Sequence, residues 1–293
     1  MKVMGLKMSK IKFICDSTCD MNEEKVKELN VTIVPLTIII EGKEYKEGID
    51  INREDLYDIL DNCKELPSTS QVTPEQFLNE FEDAYSKGYE SVITVTLNSA
   101  ASGTYQSAEI AKGFFEEKHQ NAMRIEIIDS GTYTHMISVG IYQVNKLINE
   151  NKSIDEIVEF LNTFYKKIKA FAAVGTLEIL IKKGRISSFS GLIGGILNIK
   201  PIIKIGDREI VSSEKVRGNS AVVPKLIEFC EKNIDESSDF IITICCRQCP
   251  EHSELIEKLK IKYPTKKIIS GYLGSVIALN IGTYVVGVGY LSK

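Results

Sequence analysis

Residues 92–97, Val-Ile-Thr-Val-Thr-Leu, run without a break into Asn98-Ser-Ala-Ala-Ser-Gly103 and then into an apolar rhythm over residues 105–115. No other stretch constrains the fold as tightly. β-Branched residues at that density read as a buried strand, Gly103 frees the backbone to turn, and the spacing that follows suits a helix. A strand that passes into a helix through small hydroxyl residues sets those hydroxyls beside unpaired helix N–H groups, which carry partial positive charge. Such a junction attracts an anion, a carboxylate or a phosphate. It is also the form of an ordinary tight turn, and the local sequence alone leaves both readings open.

The flanking chain supplies the sheet. Ile11-Lys-Phe-Ile-Cys15 reads as a strand ending in Asp16-Ser17-Thr18, residues 23–29 have helical spacing, and residues 31–40 return as a strand. This β-α-β opening predicts a parallel sheet. Asn52 is placed to cap a helix running to Leu60, and Thr73-Pro-Glu-Gln76 combines an N-cap, a proline at the first helical position and a glutamine able to close a capping box. Before it, Pro67-Ser-Thr-Ser-Gln71 reads as a second hydroxyl-rich turn. Arg124-Ile-Glu-Ile-Ile128 is a strand ending in Asp129-Ser130, which repeats the Asp16-Ser17 pattern. Ligands of open α/β sheets bind outside the carboxyl ends of the strands, so these turns are expected at one edge.

Ser153-Ile-Asp-Glu156 opens a further helix ending near Lys169, and a domain boundary is expected there. Strands follow over residues 171–175, 202–205, 209–211, 240–245 and 267–270, with helices over 177–183, 222–233 and 253–263. A mixed sheet with helices on one side fits this half. Residues 191–203 and 274–291 are apolar and punctuated by glycine, and the second of these stretches does not resolve into elements from its pattern.

A chain of 293 residues is long for one domain, which supports two. Its net charge of −4 lacks the basic footprint that nucleic-acid backbones require. Seven cysteines, an odd number without a secretory signal, point to reduced thiols and a cytoplasmic location. The longest apolar run, residues 31–40, is broken by Pro35 and too short to cross a bilayer. The opening residues read as a tail.

Ser102 does not sit in a G-x-S-x-G elbow, and only three histidines exist to serve as a base, so a serine hydrolase is the weaker reading. Cys246-Arg-Gln-Cys249 with His252 resembles half of a zinc site without its partner half, and buried, incidental thiols explain it better. No phosphate-binding loop or dinucleotide fingerprint is present. Lys182-Lys-Gly-Arg185 reads most simply as a solvated helix C-terminus. On these grounds no catalytic residue, metal or cofactor is expected.

Taken in order, several motifs resemble the DegV family of bacterial fatty-acid-binding proteins. They are Asp16-Ser-Thr18, Val34-Pro-Leu36, Ser68-Thr-Ser-Gln71, Ser99-Ala-Ala-Ser-Gly-Thr-Tyr105, Ile128-Asp-Ser130, and Lys183-Gly-Arg-Ile-Ser187 through Leu197-Asn-Ile-Lys-Pro201. The resemblance begins at Lys10 and continues to the C-terminus. It implies a tail over residues 1–9, a three-layer α/β/α domain with a parallel sheet over 10–165, and a two-layer α/β domain with a mixed sheet over 166–293. A long-chain fatty acid is expected between them, its carboxylate held by Thr69 and Ser102. The resemblance further implies a non-catalytic subunit that presents the carboxylate to a separate ATP-binding fatty acid kinase subunit, with Arg185 in contact with that partner. Where the family usually carries a histidine in G-x-V-I-G-x-H, this chain has Gly274-Ser-Val-Ile-Ala-Leu-Asn280. Asn280 can donate a hydrogen bond to the head group but cannot carry charge, which motivates an alternative: a fatty-acid sensor or carrier without the kinase role.

Overall fold

A computed structural model describes residues 11–63, 65–188 and 198–293. The expected tail, and the part of the apolar stretch over residues 191–197, lie outside the described residues. The first half runs β1 (Ile11–Asp16), α1 (Glu23–Glu28), β2 (Val31–Val34), β3 (Thr37–Ile40), β4 (Lys43–Lys46), α2 (Arg53–Asn62), β5 (Ser68–Ser70), α3 (Pro74–Ser86), β6 (Ser91–Thr96), α4 (Thr104–His119), β7 (Arg124–Asp129), α5 (His135–Asn149) and α6 (Ile154–Lys167). It continues through β8 (Ile168–Val174), α7 (Glu178–Lys182), β9 (Ile199–Gly206), β10 (Glu209–Arg217), α8 (Val222–Asn233), β11 (Phe240–Cys245), α9 (Pro250–Lys262), β12 (Lys267–Tyr272), α10 (Ser275–Ile281) and β13 (Val285–Leu291).

Strands β2-β1-β6-β7 form a wholly parallel sheet. Both of its faces are covered, which is why β1 and β6 read as nearly continuous apolar runs. Ile14, Val92 and Ile125 face Phe77, Phe81, Ala111 and Phe115 of α3 and α4. Phe13, Cys15, Ile93 and Val95 belong to the opposite core, with Met136, Ile137 and Leu161 of α5 and α6. A strand's alternation places these two sets on opposite sides.

The second sheet is mixed, in the order β10-β9-β8-β13-β11-β12, and only β11 and β12 pair in parallel. One face carries α8 and α9 through Phe171, Ala173, Leu226 and Leu255. The other face, with Ala170, Ala172, Ile205 and Ile242, joins the α5 and α6 core. Helices α5 and α6 therefore lie between the two sheets.

Two expectations change. Residues 31–40 are two strands, because Pro35 lacks the N–H that a continuing ladder needs. β2 stays in the parallel sheet, while β3 turns into a small antiparallel sheet, β4-β3-β5. The stretch read as a turn at residues 67–71 contains its edge strand β5, pairing Ile38 with Thr69. The capping boxes of α3 and α6 are both present.

Candidate functional site

In the parallel sheet β1 leads to β2 on one side and β6 lies on the other, so the order of connection reverses between β1 and β6. Loops leaving the carboxyl ends of strands diverge at such a point and leave a crevice. The loop after β6, residues 97–103, forms one wall of that crevice, and two aspartates hold it. Asp16, at the end of β1, accepts hydrogen bonds from Leu97 N–H at 2.7 Å, Thr18 N–H at 3.0 Å and the Thr18 hydroxyl at 2.5 Å. Asp129, at the end of β7, accepts from Ser99 N–H at 3.0 Å, Gly131 N–H at 2.9 Å and the Ser99 hydroxyl at 2.5 Å. The repeated strand-then-Asp pattern is thus a pair of loop anchors.

The second half reaches the same loop through the β9–β10 hairpin. Asn98 Nδ2 donates to the Arg208 carbonyl and to the Tyr133 hydroxyl, each at 2.9 Å. Arg208 Nε lies 3.2 Å from Asp129 Oδ2. Arg208 occupies the left-handed region (φ 64°), and a Cβ on Gly131 would approach its Cγ to 3.0 Å, so the glycine admits the hairpin tip.

At the far end of the loop Gly103 is the N-cap of α4 and supplies no side-chain cap. Ser102 Oγ fills that role, accepting from Thr104 N–H at 3.3 Å and lying 2.9 Å from Thr104 Oγ1. Gln71, two residues beyond Thr69, donates to the Ser107 hydroxyl at 3.0 Å and crosses Gly103, where a Cβ would stand 2.2 Å from Gln71 Oε1. The absence of a side chain at Gly103 therefore brings the Thr69 and Ser102 segments together.

Between the two sheets these parts enclose a cavity of about 360 Å³. Thr69, Gln71, Ser99, Ser102, Arg185 and Asn280 are among its polar lining residues. Leu36, Leu97, Ala172, Ile205, Ile244, Ile277 and Val285 are among its apolar walls. All four residues singled out in the sequence, Thr69, Ser102, Arg185 and Asn280, thus border one space. Arg185 is exposed and donates to the Lys183 carbonyl at 3.1 Å, while Lys183 Nζ reaches the Pro67 carbonyl at 2.7 Å. The Lys183 ammonium is lowered from its ordinary value by burial and then by neighbouring Arg185. Asn280 Nδ2 donates to the Val276 carbonyl at 2.7 Å, one turn back in α10.

Sequence reasoning missed Gln71, Ser99, Tyr133 and Thr134 as lining residues. The last two stand three and four residues beyond the Asp129-Ser130 strand end, on the loop it opens. Burial pushes the Tyr133 phenol up to about 12 and the Asp16 carboxyl up to about 6, so the phenol is neutral at ordinary pH.

None of the three histidines borders the cavity. His119 pairs with Glu82 at 2.9 Å, His135 meets the Tyr272 carbonyl at 3.0 Å, and His252 Nδ1 lies 3.0 Å from Cys245 Sγ. His252 sits in the first turn of α9 and is buried. Among the described residues no group of three or more His, Cys, Asp or Glu side chains is placed to hold a metal ion, and no helix is long and apolar enough to cross a membrane.

A family model described as "Uncharacterised protein, DegV family" matches residues 10–293. A DegV domain-containing protein of Clostridium acetobutylicum is 34% identical over 288 residues, covering 98% of this chain and 100% of that protein. The structure of DegV from Bacillus subtilis, described as a fatty acid binding protein, matches with a TM-score of 0.82 and 27% identity over 97% of this chain and 99% of that one. A stearic-acid-binding protein from Eubacterium ventriosum matches with a TM-score of 0.87 and 25% identity over 97% and 98% of the two chains. With the family model and these relatives spanning nearly its whole length, the chain belongs to the DegV family.

Proposed function

We propose that this protein binds a long-chain fatty acid in the cavity between its two sheets, tail against the apolar walls and carboxylate at Thr69 and Ser102. The observation that carries this reading is the cavity's division into a wall of apolar side chains and a hydroxyl-bearing rim at the α4 N-terminus. The B. subtilis and E. ventriosum relatives, described as binding a fatty acid and stearic acid, support it. A tail of about sixteen carbons at ~0.8 kcal/mol per buried methylene offers on the order of 12 kcal/mol gross, before ordering costs. Neutral hydrogen bonds add ~1 kcal/mol each. Affinity resides in the walls, and the hydroxyls set orientation. Organic extraction of purified protein followed by mass spectrometry tests this, and protein that neither retains nor takes up fatty acid refutes it.

In the fuller reading the bound carboxylate is presented to a separate ATP-binding kinase subunit that forms an acyl phosphate, in the cytoplasm, without catalytic residues on this chain. Exposed Arg185 at the cavity border supports a partner contact there. Arg185→Glu is expected to reduce acyl-phosphate formation in a reconstituted kinase assay while fatty-acid retention is kept. Equal loss of both would assign Arg185 to the pocket instead.

Asn280 favours a second reading, a sensor or carrier with no kinase role, because it is neutral and already bonded to its own helix. Normal acyl-phosphate formation with a cognate kinase subunit eliminates it.

A further inference from the structure

Glu47 follows β4, is 8% exposed and does not border the cavity. Its carboxylate nevertheless connects two elements that do. Oε1 accepts from Val276 N–H in α10 at 2.7 Å, and Oε2 accepts from the Ser17 hydroxyl at 2.6 Å. Ser17 Oγ in turn accepts from Leu36 N–H at 3.0 Å, and Glu47 N–H donates to the Leu36 carbonyl at 3.0 Å. Leu36 and Val276 both line the cavity.

Helix α10 spans seven residues, and its N-cap, Gly274, offers no side chain to its first N–H groups. The Val276 N–H lacks a partner within its own helix, and a carboxylate is the favourable acceptor at that end. The N-cap position itself could not provide one. A Cβ on Gly274 would stand 2.1 Å from Asp20 Oδ1 and 3.1 Å from Glu47 Oε1, so the helix start abuts two carboxyls of the first half. Burial raises both carboxyls above their ordinary range, and for Asp20 the proximity of Glu47 adds to it. A short helix from the second half is thereby held at its N-terminus by residues of the first half. Three of its residues, Ile277, Asn280 and Ile281, line the cavity beyond the clamp.

We propose that Glu47 is a positioning residue for the ligand cavity, capping α10 from the opposite half and setting Ile277 and Asn280 against the Leu36 side. This rests on reading the cavity as the fatty-acid site. Glu47 touches no ligand in this account; it acts through α10.

The test compares binding of a fluorescent long-chain fatty acid by wild type, Glu47→Ala, Glu47→Gln, Ile277→Ala and the double variant Glu47→Gln/Ile277→Ala. Loss of a buried charge-assisted hydrogen bond corresponds to affinity reduced about ten-fold or more in Glu47→Ala. Glu47→Gln keeps one acceptor oxygen at the same reach, so it is expected to recover part of that loss, and it serves where the alanine variant does not fold. The decisive readout is coupling. Once α10 is loosened, removing Ile277 should cost less than it does in wild type, so the two losses combine sub-additively. A wild type that binds no fatty acid overturns the reading of the cavity and this proposal with it. A wild type that binds normally, with unchanged affinity in both Glu47 variants or strictly additive losses in the cycle, overturns the positioning role alone.

Discussion

Single side chains at the rim make contributions of two kinds. Ser102 and Thr69 offer neutral hydroxyls, so Ser102→Ala or Thr69→Val should weaken fatty-acid affinity by ~1 kcal/mol each, roughly five-fold, without abolishing binding. Titration calorimetry would measure it, and complete loss in either variant would show the hydroxyl to be structural. Asp16 acts differently, because it anchors the loop from beneath. Burial lifts its carboxyl from 3.8 to about 6 in spite of three donors. A folded-state value above the unfolded one means that the native state holds the proton more tightly. The resulting stabilisation is complete below about pH 4 and is lost as pH rises through about 6. Asp16→Asn should be less stable overall, because its amide cannot satisfy all three donors, but it should lack this component of the pH dependence. Urea unfolding at about pH 4.5 and about pH 7.5 would show a flatter slope for the variant. Ser99 was invisible to local reasoning because its significance comes from Asp129, in another strand.

At the level of elements, what was legible had local causes. The Thr73 capping box and Pro74 announced α3, and the same chemistry announced α6. Thr73→Ala should cost the protein ~1 kcal/mol in denaturant unfolding and leave fatty-acid binding unchanged, since Thr73 caps α3 at an exposed position and does not line the cavity. Where causes were not local, the pattern misled. Residues 68–70 carry hydroxyls typical of a turn, yet they form a strand because β3 offers an edge to pair with. Residues 274–291 showed no usable period because α10 is seven residues long and capped from elsewhere, and because β13 is an interior strand paired on both sides. Its glycines admit neighbours: a Cβ on Gly287 would stand 2.9 Å from Ile244 Cγ1.

For the whole molecule, the cavity belongs to both sheets, so a ligand there links the halves. A fatty acid that binds only the folded protein, at a free concentration about a hundred times its Kd, should add ~2.7 kcal/mol of stability and raise the unfolding temperature by several degrees. Calorimetry of delipidated and reloaded protein would measure the shift, and a transition indifferent to reloading would contradict a site between the sheets. The parallel sheet, most helix starts and the hydroxyl residues at strand ends were legible from the order of residues, because periodicity, capping and turn chemistry act within a few residues of one another. The sequence also carried the ordered motifs of the family. That Thr69, Ser102, Arg185 and Asn280 border one cavity, that Asp16 and Asp129 anchor its loop, and that Glu47 caps a helix more than two hundred residues away emerges with the folded chain. Those relations depend on which chain segments meet across the two sheets, and no local pattern records that meeting.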